Sequence, residues 1–114
     1  MPLIPINYSN THFYKIVCKN LNIKDCYVGH TTDFKTRKSA HKGNCKNINS
    51  KEYNAYVYQF IRNNVGWNNF DMISIEIRCC DNSFDARKIE RQFIESLNAT
   101  LSSHIPSRTD LEYN

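Results

Sequence analysis

Ten residues constrain this chain more than any others. Over residues 70–79 apolar and polar positions alternate, with Ile73, Ile75, Ile77 and Cys79 facing one way and Ser74, Glu76 and Arg78 the other. A period of two is the repeat of a β-strand, and a strand needs neighbours to satisfy its backbone. Two further candidates lie near the start. Residues 12–18 (HFYKIVC) are rich in aromatic and β-branched types, residues 19–25 are polar and Asn-rich like a hairpin loop, and residues 26–30 (CYVGH) read as the return strand.

Helical signals fill the rest. Thr32 and Asp33 can cap a helix running to about residue 42, and Gly43 offers it a stop. A second helix is expected over roughly residues 51–64, where Tyr53, Val57, Phe60 and Ile61 form one apolar stripe before Val65-Gly66-Trp67 ends it. A third is expected from about residue 84 to residue 97. Residues 1–11 and the tail Ile105-Pro106-Ser107-Arg108-Thr109 read as irregular. The expected order is ββααβα: an α+β fold, a small three-stranded antiparallel sheet flanked by helices, forming one domain over residues 1–114.

Composition narrows the function classes. With 40% hydrophobic and 23% charged residues, the chain can bury a core, which separates it from disordered tails. No apolar run approaches the roughly 20 residues of a membrane span. The start lacks a basic segment followed by a long apolar one, so an intracellular location is expected. The net charge of +4 permits a polyanionic partner without demanding one. The five cysteines are odd in number and show no CxxC spacing, which favours reduced core thiols; a zinc site from Cys18, Cys26, Cys45 and a histidine lacks spacing support.

The chemistry is suggested by polar residues on apolar faces. In the last helix Ala86, Ile89, Phe93, Ile94 and Leu97 form the apolar arc, and Glu90 lies inside it, whereas Glu95 lies opposite. A carboxylate on the core side is costly unless it is paired or holds a cation, so a structural salt bridge and a metal ligand are both open. In the first helix Lys35, Lys38 and Lys42 supply ordinary solvation, while Arg37 lies between Phe34 and Ala40, with His41 one turn further on the same face. Tyr14 and Tyr27 sit on the paired strands, and Gly29, two residues past Tyr27, shares its face and leaves a gap there. An arginine fork matches phosphate, a carboxylate can hold a divalent cation that stabilises a leaving oxygen, and a phenol or imidazole can take a proton from water. Together they suit phosphodiester hydrolysis.

At these residues the chain resembles the GIY-YIG endonuclease superfamily. The first motif stands as His12-Phe13-Tyr14, with His12-Phe13 where the family has Gly-Ile, and the second as Tyr27-Val28-Gly29. Asp33-Phe34-Lys35-Thr36-Arg37 with His41 resembles the family's arginine helix, and Glu90-Arg91-Gln92-Phe93-Ile94 its glutamate segment. The ending looks like that of small members from large DNA viruses, and the motifs extend over residues 12–109. The resemblance implies one divalent ion, Mg²⁺ or Mn²⁺, at Glu90, and phosphate binding by Arg37. It implies Tyr14 or Tyr27 as proton acceptor or water-positioning group, with His41 assisting. It assigns substrate binding to Gly29, Arg37, Lys38 and Ser102, with Ser102 or Asn98 standing for the family's asparagine. The implied activity is metal-dependent DNA cleavage; the alternative is a weakly active or inactive nucleic-acid-binding module on the same fold. These 114 residues leave no room for a separate base-reading module, so selectivity is expected from DNA shape such as a branch or flap, from a partner protein or from homodimerisation.

Overall fold

The computed structural model describes residues 6–102; the irregular tail expected at residues 105–109 lies outside them. The elements are β1 (Thr11–Cys18), β2 (Cys26–Thr31), α1 (Phe34–Lys46), α2 (Tyr56–Asn63), β3 (Phe70–Arg78) and α3 (Ser83–Ser96), with short 3-10 turns at Tyr8–Asn10 and Trp67–Asn69. The sheet order is β2-β1-β3, antiparallel throughout. This is the expected ββααβα arrangement.

β1 is central because it can bury both faces. Tyr14, Ile16 and Cys18 face the helices α1 and α2, in a core with Cys45, Val57, Tyr58, Ile61, Trp67, Phe70 and Met72. Phe13 faces the other way, toward Cys80, Ala86, Ile89 and Phe93. Beside it, Cys26 and Val28 pack with Ala99, Ile75 and Ile94 under α3.

The isoleucine column of β3 does not form one face. Its buried residues are Phe70 and Met72, whereas Ile73 and Ile77 are 43% and 56% exposed. The cause is a bulge: Tyr14 pairs with Ser74 but Phe13 pairs with Glu76, so Ile75 is inserted between them. The insertion reverses the parity, leaving Ile73 opposite Lys15 and Ile77 opposite His12, on different faces of an edge strand.

The other differences are at helix ends. α1 continues through Gly43 to Lys46. Cys45, one turn past His41, is 2% exposed, and burying it outweighs the roughly 1 kcal/mol that an interior glycine costs. α2 starts at Tyr56, five residues later than expected from residue 51. The side chains of Asn47 and Ser50 bond the amides of Asn49 and Glu52, giving that stretch an alternative to helix. Tyr53 therefore leaves the apolar stripe; its ring lies under the Arg62 guanidinium, 3.6 Å from the centroid. α3 agrees with expectation to within one residue, started by the Asn82 side chain bonding the amide of Asp85.

Candidate active site

The strand pairing sets the site. Tyr14 on β1 stands opposite Gly29 on β2, and Tyr27 stands opposite Ile16, so both phenols lie on the α1 face. α1 is started by the Asp33 carboxylate, which accepts from the Thr36 amide, and it presents Arg37 and His41 to that face one turn apart. His41 is 0% exposed. Its Nε2 lies 2.7 Å from Tyr14 Oη and its Nδ1 lies 2.7 Å from Tyr58 Oη. Trp67 stacks near it, with ring centroids 6.5 Å apart and planes at 17°. Burial above all, with the Arg37 charge adding to it, pushes the His41 pKa down to about 3. The imidazole is a buried, neutral, doubly bonded ring.

Gly29 does not hold an open gap. A Cβ built there would stand 2.5 Å from Tyr14 Oη and 2.7 Å from Tyr14 Cζ. The phenol itself fills the space expected to lie open, and only glycine lets it pass.

Arg37 is half-buried among Tyr14, Tyr27 and Tyr58. Burial works against its charge, and the phenol oxygens, Tyr14 first, outweigh that and hold the guanidinium charged. Among the described residues no carboxylate forms an ion pair with it. Burial raises both phenols: Tyr14 goes well above the usual phenol range, helped by Tyr27, and Tyr27 is pushed up to about 12, helped by the Glu90 charge; Arg37 opposes the rise at each.

Glu90 approaches from α3. It is partly buried, and its Oε1 lies 2.6 Å from His30 Nδ1. Its charge is felt at both Tyr14 and Tyr27, so it lies within electrostatic reach of the phenols. Nothing in the local sequence marks His30 as a partner of Glu90, although the period of two points it, as the residue after Gly29, to the α3 side of β2. Lys38, like Lys35 and Lys42, is exposed.

Ser102 and Asn98 separate clearly. Ser102 is 1% exposed, and its hydroxyl accepts from the Val28 amide at 2.8 Å and donates to the Val28 carbonyl at 3.0 Å. Leu101 bonds the Cys26 carbonyl, so this segment clasps β2 beside the site. Asn98 is exposed, with φ 50° just past the end of α3. In the first motif, Phe13 is core, while His12 packs near Phe34 and its Nδ1 has no hydrogen-bond partner among the described residues.

Among the described residues no three or more His, Cys, Asp or Glu side chains gather into a metal-binding group. The zinc reading thus gains no donor cluster: Cys18 and Cys45 lie in one core and Cys26 in the other. All five cysteines are free, and only Cys79 is exposed. A single partly solvated carboxylate does fit a hard cation such as Mg²⁺, which keeps most of its waters and takes one or two carboxylates together with substrate phosphate.

Residues 10–102 match the family model of the GIY-YIG catalytic domain. The chain belongs to the GIY-YIG family. Every candidate residue of this GIY-YIG domain lies inside the matched region, from Tyr14 to Ser102. The family is one of nucleases, and the ββααβα arrangement described above is consistent with its fold. Neither the curated proteins nor the solved structures compared with the chain give a match. Among the described residues no helix is long and apolar enough to cross a membrane.

Proposed function

We propose that this GIY-YIG chain is a divalent-metal-dependent endonuclease that hydrolyses DNA phosphodiester bonds inside a cell. The reading rests on Arg37: a partly buried cation with phenols around it and no carboxylate partner among the described residues. A partly desolvated, unneutralised guanidinium beside a proton-transfer pair calls for an anion, and its planar fork matches the phosphate oxygens.

Tyr14 is the group assigned to the attacking water. Its oxygen faces His41 and Arg37, and Arg37 favours the phenolate against the burial that opposes it. Tyr14 first gives up its own proton to solvent; as the phenolate its oxygen takes the water's proton as the new P–O bond forms, and the leaving oxygen, released as its bond to phosphorus breaks, takes a proton from solvent. Tyr27, only partly buried, orients the water at the mouth of the site. Glu90 would hold the cation, which supplies positive charge to the phosphate and the leaving oxygen when bound. Lys38 adds an exposed phosphate contact. Ser102 acts through β2, holding the strand that carries Tyr27 and Gly29.

The test is incubation with plasmid and with branched or flap DNA in Mg²⁺, in Mn²⁺ and in chelator. Cleavage with either metal that stops in chelator is expected. DNA binding without cleavage under every condition would favour the binding-module reading. Cut ends spread over many sequences are also expected, because base readout requires side chains seated in a groove.

A further inference from the structure

The buried hydrogen bonds behind Tyr14 run further than the site requires. Ser50 Oγ lies 2.5 Å from Asn44 Oδ1, Asn44 Nδ2 lies 3.2 Å from Tyr58 Oη, and Tyr58 Oη lies 2.7 Å from His41 Nδ1, whose Nε2 meets Tyr14 Oη at 2.7 Å. Five side chains form one line from the segment between α1 and α2 to the central strand. His41 and Tyr58 are 0% and 4% exposed, so water does not complete their bonding; Tyr14, 1% exposed, borders half-buried Arg37 at the site.

Donor arithmetic gives the line a direction. The 2.5 Å contact suits an O–H donor and the 3.2 Å contact suits an N–H donor. Ser50 therefore donates to the Asn44 carbonyl oxygen, and the Asn44 amide donates to Tyr58. Tyr58, having accepted that bond, has one proton of its own, and the acceptor beside it is His41 Nδ1. His41 is neutral, so its one ring proton then sits on Nε2 and points at Tyr14. The opposite tautomer would aim two donors at Tyr58 and leave the Tyr58 proton in the core without an acceptor, at a cost of about 1–3 kcal/mol, whereas the Tyr14 proton displaced by Nε2–H turns toward half-buried Arg37 and the site, where water can accept it.

We propose that Asn44 and Tyr58 are positioning residues that lock His41 as the Nε2–H tautomer, making it a donor to Tyr14 and keeping the Tyr14 proton and free lone pair turned to the site. The continuation of α1 through Gly43 is what makes this possible: it places Asn44 three residues after His41 on the same helix face. With the lock reversed, His41 Nε2 becomes an acceptor, draws the Tyr14 proton into the core and withdraws one of the donors that stabilise the phenolate. The consequence for turnover rests on the nuclease reading; the tautomer does not.

The test uses the whole chain labelled with ¹⁵N-histidine, with His41 assigned by loss of its signals in His41→Gln. Long-range ¹H–¹⁵N correlation at neutral pH reads which ring nitrogen carries the proton. Nε2–H is expected in the wild type. Asn44→Asp is nearly isosteric but exchanges the donor for an acceptor, so the Tyr58 proton turns to Asp and His41 switches to Nδ1–H. Tyr58→Phe removes the lock and gives a mixture. In cleavage assays both variants should lose roughly ten-fold or more in kcat, with KM for DNA changed less than about two-fold. Nδ1–H in the wild type, or Nε2–H retained in both variants, would overturn the proposal. If the wild type shows no cleavage, the nuclease reading fails, while the tautomer shift in Asn44→Asp still decides the lock.

Discussion

On the α1 side of the sheet His41 is fully buried, with both ring nitrogens bonded at 2.7 Å. On the α3 side Glu90 and His30 also form a short pair, 2.6 Å, but keep 25% and 19% of their side chains in contact with solvent. The contrast fits the roles proposed for the two sides. A group that accepts a proton must be held in one rotamer and one tautomer, and a dry, fully satisfied network provides that. A carboxylate that takes a hydrated cation must leave room for water. Arg37 sits where the two sides meet, its charge felt by the phenols of the first and paired with no carboxylate of the second among the described residues.

Five substitutions break or sharpen this contrast. Arg37→Lys removes the fork that joins the two sides while keeping the charge; turnover should fall roughly 10²–10³-fold. Lys35→Ala and Lys38→Ala should change it less than about two-fold. Equal, modest losses at all three positions would mean a diffuse basic surface. Gly29→Ala strikes the buried side alone. The new methyl collides with the Tyr14 phenol, moves it from His41, and should cost about 10² in kcat although no chemical group is lost. His30→Ala strikes the open side alone. It frees Glu90 from its partner and should weaken Mg²⁺ binding about ten-fold by calorimetry, with turnover largely restored at saturating metal.

The buried side also leaves a pH signature in stability. His41 titrates at about 3 when folded against 6.5 ordinarily, so between those values the unfolded chain binds a proton that the folded chain refuses. The His41 contribution is therefore complete above pH 6.5 and is lost as pH falls toward 3, by about 5 kcal/mol. Urea midpoints measured across this window should fall more steeply for the wild type than for His41→Gln, since carboxylate protonation is common to both. Parallel slopes would show that the ring is not held neutral.

What the sequence makes legible here is local. Arg37 and His41 are one turn apart on a helix, Glu90 stands inside an apolar arc, and Tyr14, Tyr27 and Gly29 obey strand parity, so each could be placed from its neighbours. Partners distant in sequence were not visible in the same way. His30 meets Glu90 across 60 positions, and Ser102 clasps Val28 across 74. Tyr58 lies outside the apolar stripe of its helix and nothing near it in sequence marks its hydroxyl, and Asn44 lies beyond a glycine that reads as a helix stop. The bulge at Ile75 leaves no mark in an unbroken alternation, because the partner strand sets the register. Nor does a glycine reveal whether a ligand or a neighbouring phenol fills the space it spares.

The most direct measurement is made on Glu90→Gln, with Mg²⁺-dependent cleavage and DNA binding in chelator read from the same preparation. Glutamine keeps the shape and a hydrogen-bonding carbonyl for His30 but removes the charge that would hold a cation. Cleavage is expected to fall by roughly 10³-fold or more, with binding unchanged or tighter because a negative charge near the phosphate is gone. A variant that binds and cuts DNA at the wild-type rate would contradict the placing of the cation at Glu90, and with it the division of the site into a dry proton-transfer side and a wet metal side.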